Sequence, residues 1–200
     1  PNLGFVEATV ALHYVFDAPK DKLVFDVSHQ CYPHKVLTGR AAGFLGNVDD
    51  MNAISGYSSP AECPEYDNFE VGHTSTSISL ATGLQKARDM KGTKENIIAV
   101  IGDGSLSGGE AFEGLDEASE LGTGIIIVVN DNEMSIAENH GGIYKNLRAL
   151  RESNGMCEHN WFKAWGFDYK YLEQGNDIPK LIEVFRSVKD TDRPTVVHIH

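Results

Sequence analysis

The chain has 200 residues and a mass of 21.9 kDa, enough for one sizeable core or at most two small ones. Its hydrophobic fraction of 41% and charged fraction of 23% sit at globular averages and exclude disordered, collagenous and low-complexity classes. The longest apolar run, Gly124 to Val129, is too short to span a membrane, and a net charge of −12 argues against nucleic acid as a partner.

Three cysteines, Cys31, Cys63 and Cys157, are odd in number and widely spaced, with no CxxC pair. That disfavours a disulfide framework and suits a reducing cytoplasm. No signal peptide opens the chain at Pro1. The last strand-like run stops at His200 without a turn. The expectation is a segment cut from a longer protein.

In chain order, Leu3 to Phe16 is apolar nearly all round, with Leu3, Val6, Val10, Leu12 and Val15, which predicts a well-buried helix that ends before Pro19. Leu23-Val24-Phe25-Asp26 reads as a short buried strand closing on an acid. Residues 38–72 carry Gly39, Gly43, Gly46, Gly56, Pro60, Pro64 and Gly72, and predict loops with at most short helices. Helical composition resumes over Thr74 to Met90. Ile97 to Ile101 is a strand stopped by Gly102-Asp103-Gly104, and Glu110 to Leu121 sets Phe112, Leu115, Ala118 and Leu121 on one helical face. Ile125 to Val129 has the composition of a strand covered on both faces. Asp177 N-caps a helix with Ile178, Leu181, Ile182, Phe185 and Val188 on its apolar side, and Thr195 to Ile199 is the last strand. Apolar strands alternating with helices, without repeat or linker, predict a single α/β domain over 1–200 with a mostly parallel sheet flanked by helices.

Gly102-Asp103-Gly104 stands where a buried strand meets a helix. In an open α/β sheet ligands bind beyond the carboxyl ends of the strands. The glycines let a ligand approach the backbone, and free N–H groups at a helix start favour phosphate. The next apolar strand ends in Asn130-Asp131-Asn132, with 27 residues between Gly104 and Asn132 for one helix and one strand. A carboxylate and an amide oxygen at one sheet edge, with diphosphate oxygens between them, make an oxygen site for Mg2+. The alternative is a glycine turn and an Asn/Asp turn with no ligand. A dinucleotide fingerprint is weak: Gly102-x-Gly104-x-x-Ser107 lacks its third glycine, and Glu120 lies within a helix. A phosphate-binding Walker loop is absent.

His29 follows a strand within Asp26-Val27-Ser28-His29-Gln30 and should lie on the ligand edge. His34-Lys35 and Arg40 supply positive charge in an acidic chain. Gly72-His73-Thr74-Ser75-Thr76-Ser77 reads as a donor-rich loop opening a helix. A lone histidine is more often structural than catalytic, but His29 and His73 both stand at element ends followed by donors. His13, His140, His159, His198 and His200 show no such pattern.

These residues resemble a known family. Gly102-Asp103-Gly104 with Asn130-Asp131-Asn132 resembles the thiamine diphosphate motif of transketolases and decarboxylases. Three longer segments resemble the 1-deoxy-D-xylulose-5-phosphate synthase family: Asp26 to Lys35 with Leu37-Thr38-Gly39-Arg40, Gly72 to Ser79, and Asn130 to Ile136. The resemblance runs from Asn2 to about Leu147 and resumes weakly to His200.

It implies a thiamine diphosphate-binding, transketolase-like fold. It also implies a transferase that joins a two-carbon unit of pyruvate to glyceraldehyde 3-phosphate, in isoprenoid-precursor and thiamine synthesis, as a cytoplasmic homodimer with no membrane or nucleic-acid partner. By the same resemblance Asp103, Asn132 and the Met134 carbonyl are Mg2+ ligands. Gly102, Gly104 and Ser105 surround the diphosphate, with Gly104 and Ser105 as its backbone donors. His29 and His73 line the catalytic pocket, and Ser75 is a pocket donor.

Ser28 and Cys31 depart from the family's usual Gly and Ala. The stretch after Leu147 is short, and Gln174-Gly175-Asn176-Asp177 replaces an Asp-Gly-His-Asp block. The glutamate that activates the cofactor's aminopyrimidine is expected on a second, pyrimidine-binding domain outside these 200 residues. Two other readings stay open: a transketolase-like enzyme acting on another sugar phosphate and assembled from split subunits, and a non-catalytic domain that binds a partner.

Overall fold

The computed structural model describes residues 3–45, 54–135 and 137–200; Gly46 of the predicted loop, and Asn2 and Ile136 of the resemblance, fall outside them. Five strands, β1 (Lys22–Phe25), β2 (Ile97–Gly102), β3 (Ile126–Asn130), β4 (Asp168–Leu172) and β5 (Thr195–Ile199), form one sheet in the order β1-β2-β3-β5-β4. Every neighbouring pair is parallel, so the expected mostly parallel sheet is parallel throughout.

The strands read as unbroken apolar runs because each face of the sheet has its own core. Leu23, Phe25, Ile98, Val100, Ile126, Val128, Val197 and Ile199 point to one side. There Ala8, Leu12 and Val15 of α1 (Val6–Val15) and Leu181, Phe185 and Val188 of α9 (Ile178–Val188) cover them. Val24, Ile97, Ala99, Ile101, Ile127, Val129 and Val196 point to the other side. These meet α4 (Ser77–Lys91), α6 (Gly109–Leu121) and α7 (Gly142–Glu152) through Ile78, Ala81, Leu115, Ala118, Leu147 and Leu150. Short helices α2 (Tyr32–Lys35), α3 (Ala42–Leu45), α5 (Asp103–Leu106) and α8 (Trp161–Ala164) sit in the connections.

The predicted elements appear with small shifts at their ends. α1 starts at Val6, and Leu3, placed by its hydrophobicity on the helix, precedes it and is exposed. Asp177 caps α9 as expected, its Oδ1 accepting from the Lys180 N–H at 3.1 Å. β4 and α7 are additional elements.

The described residues of the long connection between β1 and α4 contain only short helical turns and are held by charge. The Lys35 ammonium, fully buried, donates to the Ser55 carbonyl and to Glu62 Oε2, each at 2.6 Å. Arg40 donates to both oxygens of Asp67, at 2.6 and 3.1 Å, and His34 Nε2 lies 3.0 Å from Asp67 Oδ1. The Ser59 N–H also donates to Asp67, at 2.8 Å. The cationic side chains that look available for a ligand in the sequence are therefore neutralised inside this segment. Burial opposes ionisation of Asp67, but the bonds from His34, Arg40 and Ser59 outweigh it and hold the carboxyl well below the usual carboxylate range. His34 Nδ1 meets His13 Nε2 at 2.9 Å. Burial, with the neighbouring His34, lowers His13 to about 4.

A folded-state pKa below the ordinary value means that the unfolded chain binds the proton more tightly, so acid favours unfolding. Stability should fall as pH drops from about 6.5 to about 4 through His13, and Asp67 should add a further loss below the ordinary carboxylate pKa. His13→Gln keeps an N–H toward His34 and cannot titrate. Urea midpoints measured across that interval should flatten in H13Q; an unchanged slope would remove His13 from the acid response.

Candidate functional site at the carboxyl edge of the sheet

Parallel pairing sets Gly102 of β2 opposite Asn130 of β3. The turns Gly102-Asp103-Gly104 and Asn130-Asp131-Asn132 therefore leave the same edge side by side, as the spacing predicts. β1 adds Asp26, whose carboxylate accepts the N–H of Ser75 and the N–H of Ser77, both at 2.9 Å. These two bonds satisfy donors at the start of α4 and draw the His73–Ser77 loop to the sheet edge. Ser75 holds a left-handed φ of +71°. Its hydroxyl donates to the Ser105 carbonyl at 2.7 Å, so its hydrogen is engaged within the protein.

Around His29 the backbone is unusual. Val27 and Ser28 have φ of +53° and +65°, a region that favours glycine. The fully buried Ser28 hydroxyl donates to the Val71 carbonyl at 3.1 Å and accepts from the Ser58 N–H at 2.8 Å. These bonds offset the strain at the position where the resembled family has Gly. His29 is half-buried, and its Nδ1 is buried without a hydrogen-bond partner among the described residues. Burial lowers its pKa, which favours the neutral ring. His73 is exposed at the mouth of the same edge.

Asp103 and Asp131 are both almost fully buried, but they have different company. The Asp131 carboxylate is held by the Arg151 guanidinium of α7 and, at 2.9 Å, by His198 Nε2 of β5. His198 is driven toward its neutral form by burial; because the Asp131 carboxylate can only accept, Nε2 carries the hydrogen, which leaves Nδ1 to accept from the Tyr169 hydroxyl at 2.7 Å. Burial pushes Asp131 up, yet His198 and Arg151 outweigh it and keep the carboxyl at about 2. Asp103 accepts from the neutral Asn139 amide at 2.6 Å and from backbone N–H groups of its own turn, and its carboxyl also meets that of Asp131. Burial first, then the charge of Asp131, pushes Asp103 up to about 7. Asp103 is thus a buried carboxyl with no cationic side chain against it among the described residues.

The turn after β3 is exposed at Asn132 and Met134. Asn132 Oδ1 accepts from the Met134 N–H at 3.2 Å. Gly104 packs directly on this turn: a Cβ there would lie 2.7 Å from Ser135 Cβ. Among the described residues no three His, Cys, Asp or Glu side chains are grouped to hold a metal. A cation at Asp103 would therefore complete its shell with amide, carbonyl and ligand oxygens, the set Asn132, Met134 and a diphosphate would offer.

Sequence reasoning passes over Asn139, Asp131, Arg151, Tyr169 and His198. The one signal available for His198 is its place near the end of the last strand, beside β3; Arg151 and Tyr169 sit on elements that were not predicted.

A family model described as 1-deoxy-D-xylulose-5-phosphate synthase matches residues 1–160. Proteins named 1-deoxy-D-xylulose-5-phosphate synthase from Dictyoglomus thermophilum and Desulforudis audaxviator are 43% and 42% identical to this chain, over 99% and 100% of it and 38% and 37% of their own lengths. A protein of the same name from Listeria monocytogenes is 42% identical over 205 aligned residues, covering all of this chain and 33% of its own length. That alignment is only five positions longer than this chain of 200 residues. The chain spans roughly a third of the relatives it matches, and with the family model covering most of its residues it belongs to the 1-deoxy-D-xylulose-5-phosphate synthase family.

Proposed function

We propose that these residues form the diphosphate-binding half of a thiamine diphosphate- and Mg2+-dependent transferase. The whole protein would condense pyruvate with glyceraldehyde 3-phosphate, with loss of CO2, to give 1-deoxy-D-xylulose 5-phosphate for isoprenoid precursors. The observation that carries this reading is the unequal pair of carboxylates: Asp131 is compensated by an arginine and a histidine, and Asp103, one strand away, is buried with neutral donors and no cationic side chain among the described residues. A buried carboxylate is costly unless a cation or proton joins it. A divalent cation shared with diphosphate oxygens would remove that cost.

Asp103, Asn132 and the Met134 carbonyl would hold Mg2+, with Gly104 and Ser105 donating backbone N–H groups to the diphosphate. The cofactor supplies the electron sink for the carbon–carbon chemistry, and the protein supplies placement and charge. The unpartnered Nδ1 of His29 and the exposed ring of His73 would hydrogen-bond substrate or move a proton. Ser75 would act through Ser105, whose carbonyl it holds. Glu110, Glu113 and Glu117 are exposed on α6, and the acid that activates the aminopyrimidine would lie in a second domain. Three free cysteines accord with the proposed cytoplasmic setting, and no helix among the described residues is long and apolar enough to cross a membrane. The homodimer implied by the resemblance belongs to the same proposal.

Calorimetry on the whole protein should show thiamine diphosphate binding that depends on Mg2+ and weakens at least tenfold in D103N; equal affinity in EDTA, or in D103N, would overturn the assignment. His73→Ala should lower turnover more than cofactor affinity, as expected for a group at the reacting end, whereas a binding loss with unchanged turnover would make it structural. The 200 residues alone, given Mg2+ and excess thiamine diphosphate, should consume no pyruvate, because the activating acid is missing; turnover near that of the whole protein would refute the division into halves.

A further inference from the structure

One guanidinium grips the residues on both sides of Asn132. Arg151, in the last turn of α7, donates through Nη1 to Asp131 and through Nη2 to Glu133. The Asp131 side chain is fully buried and that of Arg151 is nine-tenths buried. Asp131 Oδ1 also accepts the Glu133 N–H, at 3.1 Å, and Glu133 holds a left-handed φ of +64° that a side chain disfavours. His198, backed by Tyr169, closes the far side of Asp131 at 2.9 Å. Three elements, α7, β5 and β4, thus converge on a turn of four residues and hold it in a conformation that it would not favour by itself.

We propose that Arg151, with Asp131 and His198, is a positioning clamp for the Asn132–Met134 turn and that it sets the affinity of the site for the metal and diphosphate without touching either. This rests on the assignment of Asp103, Asn132 and Met134 to Mg2+. Within that site Asp131 is not assigned as a ligand: its oxygens accept from Arg151, His198 and the Glu133 N–H, so among the described residues Asp103 is the carboxyl of the pair that has no cationic partner. The fork of Arg151 matters as much as its charge, because a lysine ammonium cannot span Asp131 and Glu133 in the same planar geometry.

Charge and position predict opposite outcomes. If Arg151 were only a nearby positive charge, removing it would make the edge more negative and tighten Mg2+. If it positions the turn, removing it loosens the ligands, and groups that orient metal ligands typically cost about 10–100-fold in affinity when lost. The test is calorimetric titration of the whole protein with Mg2+ and thiamine diphosphate, well below the melting temperature, comparing wild type, R151Q, R151K and D103N. The clamp predicts about 10–100-fold weaker Mg2+-dependent cofactor binding in R151Q and an intermediate loss in R151K, which keeps the charge and loses the fork.

Unchanged or tighter binding in a folded R151Q would overturn the clamp, and so would wild-type affinity in R151K. If R151Q does not fold, R151K decides alone. Failure of the underlying reading is separate: it would show as wild-type protein that binds without Mg2+, or as D103N that binds like wild type.

Discussion

Parallel pairing of β2 with β3, with Gly102 opposite Asn130, is the constraint from which the candidate site follows. In a parallel sheet every strand delivers its carboxyl end to one edge, so whatever polar residues follow the apolar runs are collected there. Here those residues are Asp26, Asp103 and Asp131. All three are buried. Each buried acid then needs compensation, and the three find it differently: Asp26 in two backbone N–H groups, Asp131 in an arginine and a histidine, Asp103 in neutral donors alone. Of the three, Asp103 is the one whose described partners carry no positive charge.

Much of this was legible in the sequence, for physical reasons. Strands buried on both faces print as unbroken runs of Val and Ile, so β2, β3 and β5 were plain, and the turn residues after them marked the edge. β4 escaped because it is a half-exposed edge strand, where Tyr169 and Tyr171 alternate with Lys170. α7 left a signal that was not weighed, since Ile143, Leu147 and Leu150 repeat at helical spacing and pack on the second core.

Partners remote in sequence were the real blind spot. Lys35 and Arg40 looked like free charge because Glu62 and Asp67 stand 27 residues further on. Asp131 looked like a motif residue whose purpose was open until Arg151 and His198 came into contact with it. A sequence displays charges singly, and only the fold shows which of them cancel. The same holds for Ser75, whose hydroxyl suggested a ligand donor and is found holding the Ser105 carbonyl.

The contact between Gly104 and Ser135 carries a different kind of consequence. The turns of neighbouring strands touch so closely that a methyl group at 104 would collide with the Ser135 side chain. The glycine therefore answers to its neighbour as well as to any phosphate. Through evolutionary time the two positions are mechanically linked: a larger residue at 104 becomes acceptable only if the turn carrying Ser135 withdraws, and that turn is tethered through Glu133 and Asp131 to α7. The line from 104 through 135 to 151 is thus one mechanical unit, in which a change of volume at one end is felt at the other.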